Sequence, residues 1–145
     1  MTDLTKTFSN FVSQATLQNF NDEMIFFSKM SMIDWCGVAY AAKEEPVSKI
    51  VTKLIDEEQT KGLSRLISNG KEVSAKSAAF VNGTIGHALD YDDTHFLFTG
   101  HPTASAFPTA LALGEELGSS IDEIMLAYMC GVEISTRLGH ILGYS

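Results

Sequence analysis

Cysteine, proline and basic residues are all scarce in this sequence, and each shortage removes a class of protein. Only Cys36 and Cys130 occur. They stand far apart and match no metal-ligand spacing, which speaks against a disulfide framework, a zinc ribbon or an iron–sulfur cluster and fits a reducing cytosol. Three prolines, with no internal repeat and no low-complexity stretch, exclude collagenous and repeat polymers. Ten lysines and arginines against eighteen acids leave a net charge of −8, so the basic patch that phosphate binding needs is missing and no nucleic-acid partner is expected. An acidic substrate stays open, because one local cationic pocket suffices. No uninterrupted apolar run approaches the roughly 18 residues of a membrane span, and Met1 to Lys6 leads into no apolar core of signal-peptide length. The expectation is a cytoplasmic protein with no membrane partner. What is present, 45% hydrophobic and 19% charged residues over 145 positions, is enough for a single packed core.

The apolar residues recur at helical spacing and predict an all-α fold of about six helices, with no convincing strand. The first runs roughly from Asp3 to Leu17, with Leu4, Phe8, Phe11, Val12 and Ala15 on one stripe. The second opens at the N-cap Asn21, followed by Asp22 and Glu23 where the helix dipole favours acids, and runs to about Ala42. It is apolar nearly all round, so it is expected at the centre of the fold, with Gly37 admitting a close neighbour. Pro46 suits the first turn of a third helix. Lys61 to Lys71 reads as loop and short helix. A fourth helix, about Ser74 to Tyr91, contains Asn82-Gly83, a hairpin pair elsewhere, but its flanks lack strand alternation. A fifth lies between about Ser105 and Leu117 and is stopped by Gly118. Ser120-Ile121-Asp122-Glu123 has the capping-box form and starts the sixth.

The informative segment breaks local rules. Asp90, Asp92 and Asp93 crowd the end of the fourth helix, at the negative pole of its dipole, and three of the four histidines, His87, His95 and His101, fall close by. Sequences violate local electrostatic preference chiefly where function requires it, and the histidines are the natural compensating groups. On a helix, His87 and Asp90 share a face and can hydrogen-bond. A solvated acidic turn with a structural histidine is the competing reading. An EF-hand is excluded, since its alternating acids, central Gly and distal Glu are absent. The string Asp90-x-Asp92-Asp93 is similar to the proton-donating motif of terpene cyclases, which need far larger helical barrels.

The whole run decides between these readings. Phe80-Val81-Asn82-Gly83-Thr84, His87-Ala88-Leu89-Asp90-Tyr91-Asp92-Asp93-Thr94, His101-Pro102 and Pro108-Thr109-Ala110-Leu111-Ala112-Leu113 together resemble the N-terminal helical domain of the MmgE/PrpD family. That family includes 2-methylcitrate dehydratases, cis-aconitate decarboxylases and iminodisuccinate epimerases. Ile33-Asp34-Trp35-Cys36-Gly37-Val38-Ala39 and Ala127-Tyr128-Met129-Cys130-Gly131-Val132-Glu133-Ile134 are similar to its flanking helices, and Lys43 to Lys71 is the loosest part.

The resemblance implies a lyase that dehydrates or decarboxylates small di- and tricarboxylates by acid–base catalysis, without metal or organic cofactor. Carried onto this sequence, it implies His101 as the acid–base group, Thr94 as a hydrogen-bond donor to substrate and Asp90 as the carboxylate that orients a histidine or the loop. His87, Asp93 and His95 are further candidates, each either lining the pocket or structural. Residues 1–145 correspond to part of the family's large helical domain, without its second α+β domain and its later histidine, lysine and tyrosine residues. The chain by itself is therefore expected to be a truncated and inactive form, a homodimer or a partner of a complementary C-terminal portion. The alternatives are one half of a split enzyme and a non-catalytic helical interaction module.

Overall fold

The computed structural model describes residues 3–97 and 99–143. Among them are six α-helices and one small antiparallel hairpin: α1 (Leu4–Gln14), α2 (Asp22–Ala41), α3 (Pro46–Glu58), β1 (Ser64–Arg65), β2 (Glu72–Val73), α4 (Ala75–Gly86), α5 (Pro102–Leu117) and α6 (Ile121–Leu142). The fold is thus essentially all-α. Local signals set several boundaries. The Asn21 side chain accepts from the Met24 N–H at 2.8 Å and starts α2, Pro46 opens α3, and Ser120 with Glu123 closes a reciprocal capping box on α6. Gly118, at φ +67°, ends α5 in the left-handed conformation that a residue without Cβ adopts freely.

The helix α5 is the hub, packed between α4 and α6 and carrying the hairpin on its outer end. At its heart Trp35 of α2, Phe107 of α5 and Tyr128 of α6 stack edge to face, with ring centroids 5.3 Å and 5.6 Å apart in succession. Mid-helix Asn82-Gly83 forms no turn; each residue has a packing task. Asn82 is buried, accepts from the Ile67 N–H at 3.0 Å and donates to the Arg65 carbonyl at 2.8 Å, which ties the hairpin to α4. Pro108 offers no N–H to the Ala104 carbonyl within α5. A Cβ at Gly83 would stand 3.1 Å from that carbonyl oxygen, so the glycine lets α4 and α5 meet there.

Several expectations need correction. The segment Lys61 to Lys71 contains no helix. It carries the first strand of the hairpin and its turn, anchored by Glu116 and Glu115, which accept from the Leu63 and Arg65 N–H groups at 2.9 Å and 2.8 Å. The helix α4 stops at Gly86 and not near Tyr91, whereas α5 begins at Pro102, ahead of Ser105, because proline suits a first helical position. Helix α2 is not central: Met32, Trp35 and Ala39 are buried, but Phe26, Phe27, Met30 and Ile33 are exposed, since its packed neighbours lie on one side. Nothing lies within 4 Å of a Cβ built on Gly37; the tight approaches are at Gly62, Gly86 and Gly114. The stripe on α1 is real in direction but unburied, and Leu4, Phe8 and Phe11 line a cleft of about 620 Å³ against Ile134 and Ile141 of α6. No described helix is long and apolar enough to cross a membrane.

Candidate functional site

The site is the loop between α4 and α5, and a tertiary contact fixes where it begins. The indole of Trp35, 1% exposed, lies against the backbone of Gly86: a Cβ there would stand 2.1 Å from its Nε1. Beyond Gly86 the chain leaves the helix. Ala88 and Asp90 make turn bonds back to Ile85 and His87, both at 3.1 Å. Asp90 then takes φ +55°, a left-handed conformation that aspartate tolerates better than most residues. This reversal brings Asp92 back beneath His87.

The consequence differs from the helical pairing expected of His87 and Asp90. The partner of His87 is Asp92: its Nδ1 lies 3.0 Å from Oδ1 and 3.2 Å from Oδ2. The Asp92 side chain is fully buried, while His87 remains half exposed. On the other side, His101 turns its Nδ1 to the Asp92 backbone carbonyl at 3.2 Å, with the Asp92 carboxylate 3.5 Å away. The two imidazoles stand with centroids 4.5 Å apart. Carbonyl and ionised carboxylate oxygens only accept, so both histidines place their Nδ1–H on Asp92 and leave Nε2 as the free nitrogen. His101 Nε2 is 3.4 Å from Asp90 Oδ1, on a carboxylate that is 76% exposed. An exposed pair of this kind contributes little to stability.

The remaining candidates part company. Asp93 is engaged from α5: Thr103 donates its N–H to Oδ1 at 3.2 Å and its hydroxyl to Oδ2 at 2.8 Å. His101, at the N-cap position, supplies no capping side chain, and the Asp93 carboxylate serves the helix N-terminus in its place. Thr94 is exposed next to this clamp. His95 pairs with Gly100 across a small loop, its N–H donating to the Gly100 carbonyl at 2.9 Å, and its buried Nδ1 has no partner among the described residues. Phe98, between His95 and His101, lies outside the described residues. The structure therefore gathers His87, Asp90 and His101, and leaves Thr94 and His95 on the rim.

Three residues of this site were given no role by the sequence: Asp92, noted there only as one of the crowded acids, Thr103 and Tyr128. The Tyr128 hydroxyl is 2.6 Å from Thr103 Oγ1. Burial, and after it the negative charge of Asp93, push the phenol above its usual pKa, while hydrogen bonds with Thr103 and Ser31 work in the opposite direction. One signal was available, since a tyrosine inside an apolar stripe needs a partner for its hydroxyl. Donor atoms of His87, Asp90, Asp92 and His101 all lie within 4.8 Å of one another, so these four could gather round a divalent ion. Hydrogen bonds within the cluster already account for Asp92 and both Nδ1 atoms.

The comparisons with known proteins agree on one family. The model of the MmgE/PrpD N-terminal domain matches residues 6–145. Cis-aconitate decarboxylase of Homo sapiens is 27% identical over 143 residues, covering 94% of this chain and 29% of that protein. The Mus musculus cis-aconitate decarboxylase is 29% identical, with the same coverage. The cis-aconitate decarboxylase-like protein oryM of Aspergillus oryzae is 21% identical over 145 residues and is covered to 30%. The chain thus spans less than a third of the length of the curated relatives it matches.

Proposed function

This chain belongs to the MmgE/PrpD family through its N-terminal domain, and from that premise we propose that its α4–α5 loop supplies the proton-transfer part of a lyase site for small di- and tricarboxylates of the cis-aconitate class. The observation that carries the reading is the shared use of Asp92, which receives Nδ1 of both His87 and His101. Decarboxylation of an unsaturated tricarboxylate releases CO₂ and leaves an electron pair on carbon that must take up a proton. Dehydration next to a carboxylate removes one. Either step requires a group that exchanges a proton near neutral pH, and an imidazole whose tautomer is fixed at Nδ1 offers Nε2 for it. His101 is that group. Asp90, within 3.4 Å of Nε2, stabilises the imidazolium while it holds the proton, and Thr94 donates to a substrate carboxylate. His87 and His95 line the approach.

Carboxylates and imidazoles make up this cluster, and the ion pairs of its carboxylates among the described residues are with histidines. A tricarboxylate is therefore held weakly by the chain alone and turned over slowly or not at all, with cationic groups supplied from a complementary portion. The exposed Phe26, Phe27, Met30 and Ile33 of α2 support association with such a portion or with a second copy. They also favour a second reading, a helical interaction module without catalysis. The test is titration of the chain with cis-aconitate and 2-methylcitrate, following the His87 and His101 imidazole NMR signals with His101→Gln as control. Saturable shifts lost in the variant support the reading. Unmoved signals at millimolar ligand refute it and leave the interaction module.

A further inference from the structure

The loop that carries both histidines closes on itself through Asp93 and Thr103. Thr103 Oγ1 has a single hydrogen, and it goes to Asp93 Oδ2 at 2.8 Å. The 2.6 Å contact between Thr103 Oγ1 and the Tyr128 hydroxyl must then have the tyrosine as donor. The result is a polar chain, Tyr128 to Thr103 to Asp93, buried at Tyr128 and Thr103 and rooted in the aromatic stack of Tyr128 on Phe107. Its effect on the site follows from adjacency. Asp93 is bonded next to Asp92, and Thr103 lies two residues after His101. Clamping Asp93 to Thr103 therefore sets the register in which the Asp92 carbonyl meets His101 Nδ1 at 3.2 Å.

We propose that Tyr128 is a positioning residue for the His87–Asp92–His101 cluster, acting through Thr103 and Asp93, and that Asp93 serves this clamp and does not touch substrate. The inference rests on the proposed proton-transfer role of His101 for its functional meaning, but its geometry can be tested without ligand. A buried hydroxyl that satisfies another hydroxyl already committed to a carboxylate leaves an unpaired acceptor when removed. Loss of the phenol oxygen therefore loosens the clamp without emptying the ring's place in the core. Both Asp93 oxygens are, in addition, engaged by Thr103, at 3.2 Å and 2.8 Å.

The experiment compares Tyr128→Phe, Thr103→Val and Thr103→Ser with the parent chain and with Ile124→Val, a core change on the same helix that faces Gly114 and not the loop. Imidazole signals of His87 and His101 are recorded without ligand at a temperature where every variant is folded. The expected result is displaced signals of both histidines in Tyr128→Phe and Thr103→Val, parent-like signals in Thr103→Ser, and no displacement in Ile124→Val. Should either of the first two variants fail to fold, the other decides. Parent-like signals in a folded but less stable Tyr128→Phe or Thr103→Val would overturn the proposal, as would equal displacement in Ile124→Val. A parent chain that ignores cis-aconitate while these ligand-free displacements appear refutes the substrate reading and leaves the clamp standing.

Discussion

Adding one methyl group at Gly86 tests whether the Trp35 contact fixes the start of the α4–α5 loop. In Gly86→Ala the new Cβ would lie 2.1 Å from Trp35 Nε1, 2.4 Å from Cε2 and 2.7 Å from Cζ2. Ordinary carbon contacts begin near 3.5 Å, so ring or helix must retreat by about 1.5 Å. The indole has little room to do so, being 1% exposed and packed edge to face on Phe107. Overpacking of this kind costs about 1–3 kcal/mol, and the rigid ring argues for the upper part of that range. Better helix propensity of alanine returns up to about 1 kcal/mol, less at a helix end. The net expectation is about 2 kcal/mol, or roughly 6 °C in Tm at some 3 °C per kcal/mol for a chain of this size. Thermal unfolding by circular dichroism measures the loss, and the fluorescence of Trp35, the single tryptophan, reports the displaced ring. Trp35→Phe removes the pyrrole part of the indole, so Gly86→Ala should cost less in that background than in the parent. A Tm within about 1 °C of the parent, with unchanged emission, would refute the argument, since a clash this short cannot be absorbed without movement.

Other consequences are as direct. Asp92→Asn keeps one acceptor but loses the charge that two imidazoles face, and it should displace both histidine signals and cost about 1–3 kcal/mol; a change confined to His87 would refute the shared role. Ser120→Ala breaks the capping box of α6 and should cost about 1 kcal/mol in urea unfolding, with no effect counting against the cap. Tyr128 has its pKa raised above 10.0 by burial, so the folded chain keeps a proton that the unfolded chain releases. That contribution is complete below about pH 10 and lost as pH rises through the folded value, so Tyr128→Phe should flatten the alkaline fall in stability; an unchanged fall refutes it. The cofactor-free reading requires that shifts induced by cis-aconitate survive treatment with EDTA, although four donors lie within 4.8 Å; their disappearance would point to a bound metal.

Helices were legible here wherever a local signal decided them. Asn21, Pro46, Gly118 and the Ser120–Glu123 box act within one turn, and all lie where the residues place them. The misplaced features depend on distant partners. The hairpin strands are two residues each and are held by Asn82, Glu115 and Glu116, which no window around Lys61 to Lys71 contains. Ala88 and Leu89 continue the apolar period of α4, so periodicity alone runs on to Tyr91, while the chain turns off at Gly86 under Trp35 and reverses at Asp90. Helix α2 shows the converse failure. Apolar residues on every side measure how much surface a helix can bury, and α2 exposes much of its own among the described residues.

The same distinction governs the site. His87 and His101 stood out because histidines beside crowded acids break local electrostatic preference, a rule that needs no fold. Choosing their partner did need one. A spacing of three favours Asp90 only if the helix continues, and the spacing of five that joins His87 to Asp92 becomes close only because the helix ends. Three aspartates in four positions thus acquire three environments: Asp90 exposed beside His101, Asp92 buried between two imidazoles, and Asp93 bonded to Thr103 on the first turn of α5. Composition could not assign these roles, because the side chains are chemically identical. The division is made by one left-handed residue and one buried tyrosine, so altering Asp90's backbone or Tyr128's hydroxyl should disturb the histidines as surely as altering a carboxylate.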